Sequence, residues 1–170
     1  MEMMLIALLV AAGLGPIPTE GPPPAAELVQ LRAQLIDTLN QHRAADGVPK
    51  LERNPRAEQA AQFQADDMLS TGKMGHLDSS GRTPMMRYAS FGGKADYYGE
   101  NVGFRSPGVV DPVLLWNVLA LLDKAMMAEV PPNDGHRRNI LSPNYNGVGI
   151  GIAVGAKGIF MAEDFTGGRK

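Results

Sequence analysis

The hydrophobic period of this chain changes once, and that change restricts its fold more than any other feature. As far as Glu129, apolar residues recur at helical spacing. Beyond it, Val148, Ile150, Ile152 and Val154 alternate with Gly149, Gly151 and Ala153, the period of two that marks a strand. Gly155-Ala156-Lys157-Gly158 reads as a turn, and Ile159–Phe165 as a returning strand. Helices first and a hairpin last predict an α+β domain. No internal repeat is present.

Four helices are expected ahead of the hairpin. Leu28, Leu31, Leu35 and Leu39 set the first, from Ala25 to about Ala45, ending near Asp46-Gly47. Asn54-Pro55 is an N-cap and first-turn pair for the second, with Ala57, Ala61, Gln64 and Met68 on one face and Gly72 as its stop. Its small alanines imply close approach to another element. Thr83-Pro84 opens a short third helix through Met85, Met86 and Tyr88, closed by Gly92-Gly93. Asp111-Pro112 opens an apolar fourth through Trp116 to about Glu129, stopped by Pro131-Pro132.

Composition narrows the function classes. The 170 residues include no cysteine, which excludes disulfides, Cys-ligated zinc, iron–sulfur clusters and thiol nucleophiles. A net charge of −2 provides no field for nucleic acid, so no such partner is expected. The apolar run Met3–Leu14 falls short of the roughly 20 residues that span a bilayer, so no stable transmembrane anchor is expected. It fits the hydrophobic region of a signal peptide over residues 1–14, with small residues at Ala11, Ala12 and Gly13, although Glu2 stands where a basic residue is usual. Residues 15–24, rich in Pro and Gly, read as an extended spacer before a single domain expected over 25–170. Secretion, to an extracellular or periplasmic location, follows from that reading.

Several catalytic signatures are missing. There is no His-Glu-x-x-His helix, Ser90 is in no nucleophile elbow, and Gly147, Gly149 and Gly151 are strand residues rather than a dinucleotide loop. Polar residues in unusual places remain: His76 just beyond a helix end, Glu100 in Tyr98-Gly99-Glu100-Asn101-Val102, Glu129 at the end of the apolar helix, and His136 in Gly135-His136-Arg137-Arg138-Asn139-Ile140-Leu141. Imidazole nitrogens and carboxylate oxygens both suit zinc and similar ions. The alternative is that each satisfies loop carbonyls. Asn101 and Asn139 read as loop hydrogen-bonders, Arg43 as one half of a structural ion pair, and Tyr97 and Tyr98 as rim or half-buried packing.

These stretches carry a resemblance. Leu39-Asn40-x-x-Arg43 with Gly47-Val48-Pro49-x-Leu51, the Ala-rich helix leading to His76, Gly99-Glu100-Asn101, the Gly135–Leu141 segment with Pro143 and Tyr145, Val148-Gly149-Ile150-Gly151 and Asp164-Phe165 are together similar to the CAP superfamily. That superfamily comprises cysteine-rich secretory, venom-antigen and pathogenesis-related proteins, and the likeness is strongest to its bacterial extracellular type. The resemblance covers about Leu28 to Thr166. It implies a three-layer α-β-α sandwich with a small antiparallel sheet, and a cleft lined by His76, Glu100, His136 and a second acid. Glu129 is taken as that acid; it follows Met126 at the offset where many members carry Trp.

Three functions from different classes are compatible with this inventory. The first is a secreted binding module whose cleft holds a divalent metal, zinc above all, and a lipid or peptide-like ligand, with no organic cofactor. The second is a metal-assisted hydrolase in which Glu100 or Glu129 deprotonates a bound water. The third is a structural or adhesive envelope domain without metal. The first is preferred, because no nucleophile or separate oxyanion donor can be named.

Overall fold

The computed structural model describes residues 23–106 and 112–168. The expected signal peptide, nearly all of the spacer, and Asp111 lie outside them. The elements are α1 (Ala25–Ala45), β1 (Glu52–Arg53), α2 (Pro55–Thr71), α3 (Pro84–Ser90), β2 (Tyr97–Arg105), α4 (Pro112–Met127), α5 (Gly135–Ile140), β3 (Gly147–Gly155) and β4 (Gly158–Gly167).

Local chemistry sets several of these boundaries. The Asn54 side chain accepts from the amides of Arg56 and Ala57 to start α2, and Gly72 ends it at φ +72°. Thr83 caps α3 by accepting from the Met86 amide. Three elements were not foreseen. Strand β2 runs through the segment holding Glu100, β1 is two residues long, and six-residue α5 carries His136 where a loop was expected.

The sheet order is β1-β3-β4-β2. The three long strands are antiparallel as expected, and β1 adds a short parallel pairing to β3. Each sheet face is covered. On one side α1, α4 and α5 bring Leu35, Leu39, Leu115, Leu119 and Ile140 onto Val148, Ile150, Ile152, Met161 and Phe165. On the other, α2 brings Ala61 and Met68 against Val102, Phe160 and Ala162, while its Ala57 packs in a second cluster with Tyr88 of α3 and Tyr98 of β2. The result is the expected α-β-α sandwich.

Alternation on β3 explains the unequal spacing of the layers. Its branched residues face α1 and α4, and its glycines face α2. A Cβ at Gly149 would stand 2.0 Å from the Glu58 nitrogen, and one at Gly151 2.1 Å from the Ala61 oxygen. The backbone of α2 therefore lies directly on the sheet, the close approach anticipated from its alanines.

Arg43 corrects an expectation. It is fully buried, yet among the described residues no carboxylate pairs with it. Its guanidinium donates to the carbonyls of Pro49, Ile140, Ser142 and Tyr145 at 2.7–3.0 Å. The fork thereby ties the end of α1 to the segment between α5 and β3, with burial pulling its pKa down.

Candidate functional site

His76, Glu100, Glu129 and His136 all line one open cleft of about 660 Å³, together with Asn133, Arg138, Asn139, Ser142 and Tyr145. Four different elements deliver the tetrad. His76 sits in the loop after α2, where Gln64 donates to the Gly75 carbonyl at 2.6 Å and Arg87 to the His76 carbonyl at 2.9 Å. Glu100 points from β2, Glu129 follows the end of α4, and His136 lies in the first turn of α5.

The four form two histidine–carboxylate pairs. His76 Nδ1 donates to Glu100 Oε1 at 2.8 Å, and His136 Nδ1 to Glu129 Oε1 at 2.5 Å. The amide of His136 also donates to Glu129 Oε2 at 2.9 Å, so this carboxylate orients both ring and backbone. Among the described residues neither Nε2 has a hydrogen-bond partner. Burial would raise Glu129, but these bonds from His136, with a weaker one from the Arg137 amide, hold it below the ordinary carboxylate value. The bond to Glu100 raises His76 above the usual imidazole value, against the opposing effects of burial and Arg87.

Glu100 is almost wholly buried, and Arg87 neutralises it. The guanidinium, also buried, pairs with Glu100 Oε2. Behind Glu100, across the ladder, stands its register partner Asp164, which accepts from the Tyr98 hydroxyl at 2.5 Å. Burial, then repulsion from Glu100, raises Asp164 far above the ordinary value. The Tyr98 phenol is raised in turn, first by burial and then by Asp164.

Arg87 and Asp164 were not singled out as site residues from sequence. Their signal was present: an arginine inside a short apolar helix, and two acids at the end of an apolar strand. The two asparagines read as loop residues belong to regular elements instead. Asn101 is buried on β2 and donates to the His136 carbonyl at 3.3 Å, while Asn139 of α5 donates to Asn101 Oδ1 at 2.9 Å. Tyr98 is half-buried and packs on Tyr88 with ring centres 5.0 Å apart.

For metal chemistry the donor set is small. No group of three or more His, Asp or Glu side chains among the described residues is disposed to hold an ion. Both carboxylates are already engaged by histidine, which leaves two imidazole Nε2 atoms as the free donors facing the cleft. An ion there would take those two nitrogens from the protein and its remaining ligands from solvent or a bound molecule.

Comparison with known proteins agrees with this fold. Residues 36–165 match the Cysteine-rich secretory protein family, CAP, and the chain belongs to that family. YkwD of Bacillus subtilis, described only as uncharacterized, is 22% identical over 134 residues, spanning 79% of this chain and 46% of that protein. A Bacillus anthracis extracellular protein containing an SCP domain superposes with a TM-score of 0.63 at 21% identity, covering 87% of this chain and 45% of the other. An outer surface protein of Borrelia burgdorferi gives 0.66 at 16% identity, covering 89% and 99%. The chain thus spans less than half the length of the two Bacillus proteins. Among the described residues, no helix is long and apolar enough to cross a membrane.

Proposed function

We propose that this domain is an extracellular binding module whose cleft holds a divalent ion through His76 and His136 and takes a polar, peptide-like ligand beside it. The observation that carries the reading is the pairing of each Nδ1 with a carboxylate. That pairing assigns the proton to Nδ1 and leaves the Nε2 lone pair free, the arrangement common to metal-ligating histidines. When bound, an ion would supply a Lewis-acidic anchor for a carbonyl or carboxylate oxygen.

Glu100 and Glu129 serve in this reading as orienting groups, because each is committed to its own histidine. That commitment leaves neither as a free base for water, so binding is read ahead of hydrolysis. The ligand class follows from the wall. Asn133, Arg138, Asn139, Ser142 and Tyr145 offer hydrogen bonds, and among the described residues lining this cleft none is aliphatic. Such a wall suits a peptide-like ligand better than an acyl chain. Extracellular placement rests on the apolar leader expected from sequence and on relatives described as extracellular or outer-surface proteins.

Zinc titration by calorimetry tests this. Wild type is expected to bind one ion at pH 7.5 and to lose affinity toward pH 5 as protons compete for Nε2. His76→Ala and His136→Ala should each lose at least tenfold. Equal binding by wild type and the double variant, or none by wild type at pH 7.5, overturns the reading.

A further inference from the structure

Glu163 lies on β4 on the sheet face opposite Glu100, fully buried among the residues that support α4 and α5. Its Oε2 accepts from Asn101 Nδ2 at 3.0 Å, and its Oε1 has no hydrogen-bond partner among the described residues. The same Asn101 amide group donates to the His136 carbonyl, and Asn101 Oδ1 accepts from Asn139. Asn139 in turn reaches the Glu100 carbonyl at 3.3 Å. A continuous set of hydrogen bonds therefore runs from a buried acid, through one asparagine, to the short helix that presents His136.

We propose that Glu163 is a positioning residue for His136, held as a neutral carboxylic acid, and that loss of its proton shifts α5 and so makes the cleft sensitive to alkaline pH. Three observations support this. An ionised Glu163 would bury an unpartnered oxygen, which a carboxylate in an apolar core does not tolerate. The titratable groups on that side are Asp123 of α4 and, bonded to Asp123 at 2.8 Å, His42 of α1. Around it β2 provides neutral Asn101 and β3 its register partner Ile150. Among the described residues no lysine or arginine side chain is turned toward it.

Burial first, and then the Asp123 carboxylate, push Glu163 up to about 8. The sign follows from the raised value. Protons are bound more tightly in the folded state, so stability falls as pH rises from about 4.5 to 8 and is level beyond. Deprotonation sends the proton to solvent and leaves a charge that must draw in water at the base of α5. Asn101, bonded to both the acid and the His136 carbonyl, transmits the change.

The test is an NMR titration of metal-free protein from pH 6 to 9.5, following side-chain carboxyl carbons and the His136 ring and amide signals. Without added metal, its outcome is independent of the zinc reading. The Glu163 carboxyl, assigned by its absence from Glu163→Gln, is expected to titrate near pH 8, with His136 signals moving at that same midpoint. In Glu163→Gln, which keeps the acceptor to Asn101, the His136 signals should stay flat over that range. Asn101→Ala should keep the carboxyl titration and abolish the His136 response. A carboxyl midpoint near the ordinary value for glutamate overturns the proposal. So does a His136 shift that persists in Glu163→Gln, or one absent from wild type.

Discussion

Arg87 organises the first half of the cleft from beneath, although it scarcely touches the cleft itself. It is buried, pairs with Glu100, and donates to the carbonyls of His76 and Arg82. Removing it would leave Glu100 buried beside Asp164 with only the half-exposed His76 ring as its ion-pair partner. Breaking a buried pair in this way costs about 3–5 kcal/mol. Chemical denaturation of Arg87→Met should show a loss of that size, and a loss below about 1 kcal/mol would refute the role. His76 gives a pH-dependent contrast. Its pKa is raised in the folded state, so its contribution is complete below the unfolded value of about 6.5 and is lost as pH rises through the folded value. His76→Ala should therefore lower the thermal midpoint more at pH 6 than at pH 8.5. Equal losses at both would show that Glu100 does not stabilise the imidazolium.

At the scale of elements, the critical contact is α2 on β3. Gly149 and Gly151 leave no side chain between the strand and the helix backbone, so that backbone occupies the space a Cβ would need. Backbone cannot move aside as a flexible side chain can. Gly151→Ala should thus cost about 3 kcal/mol or more, at the upper end of overpacking effects. A measured cost under about 1 kcal/mol would mean the helix shifts freely. The same helix depends on its first turn. Asn54 caps two amides and its Nδ2 reaches both Tyr88 and Thr166 at 3.1 Å, joining α2 to α3 and β4. Asn54→Ala should cost about 1–2 kcal/mol by thermal or chemical unfolding, and a neutral result would show that Pro55 alone suffices to start the helix.

For the whole molecule, the shifted acids set the pH of greatest stability. Asp164 and Glu163 have raised pKa values, so their contribution declines as pH rises above about 4–5. Asp78 and Glu129 are lowered, each by hydrogen bonds that outweigh burial, and theirs is lost only as pH falls through the depressed folded values. The two trends meet on the acid side of neutrality. Calorimetry should find the highest thermal midpoint near about pH 5, with lower values at pH 8 and again at pH 3. A midpoint that rises steadily from pH 5 to 8 would contradict the buried neutral acids.

Which parts of this molecule were legible in the sequence depends on the range of the forces involved. The α+β class, the four longer helices and the hairpin were all readable, because caps such as Asn54 and Thr83, the Leu28–Leu39 spacing and the Val148–Val154 alternation act within a few residues. Motif likeness put His76, Glu100, Glu129 and His136 forward as a set, but it could not give the two pairs they form. Strand β2 exists because β4 supplies a ladder more than fifty residues away, and nothing local in Tyr97–Arg105 demands it. Helix α5 is too short to show a period, and no side chain caps its start. Arg43 read as half of an ion pair because a charge suggests an opposite charge, whereas the fold presents it with four carbonyls. Local pattern determined which segments coil and which extend except at β2 and α5; the tertiary structure decided those two elements and which charges are buried, and therefore which acids stay neutral and which imidazole nitrogens are paired, since burial and partnership are properties of the assembled layers.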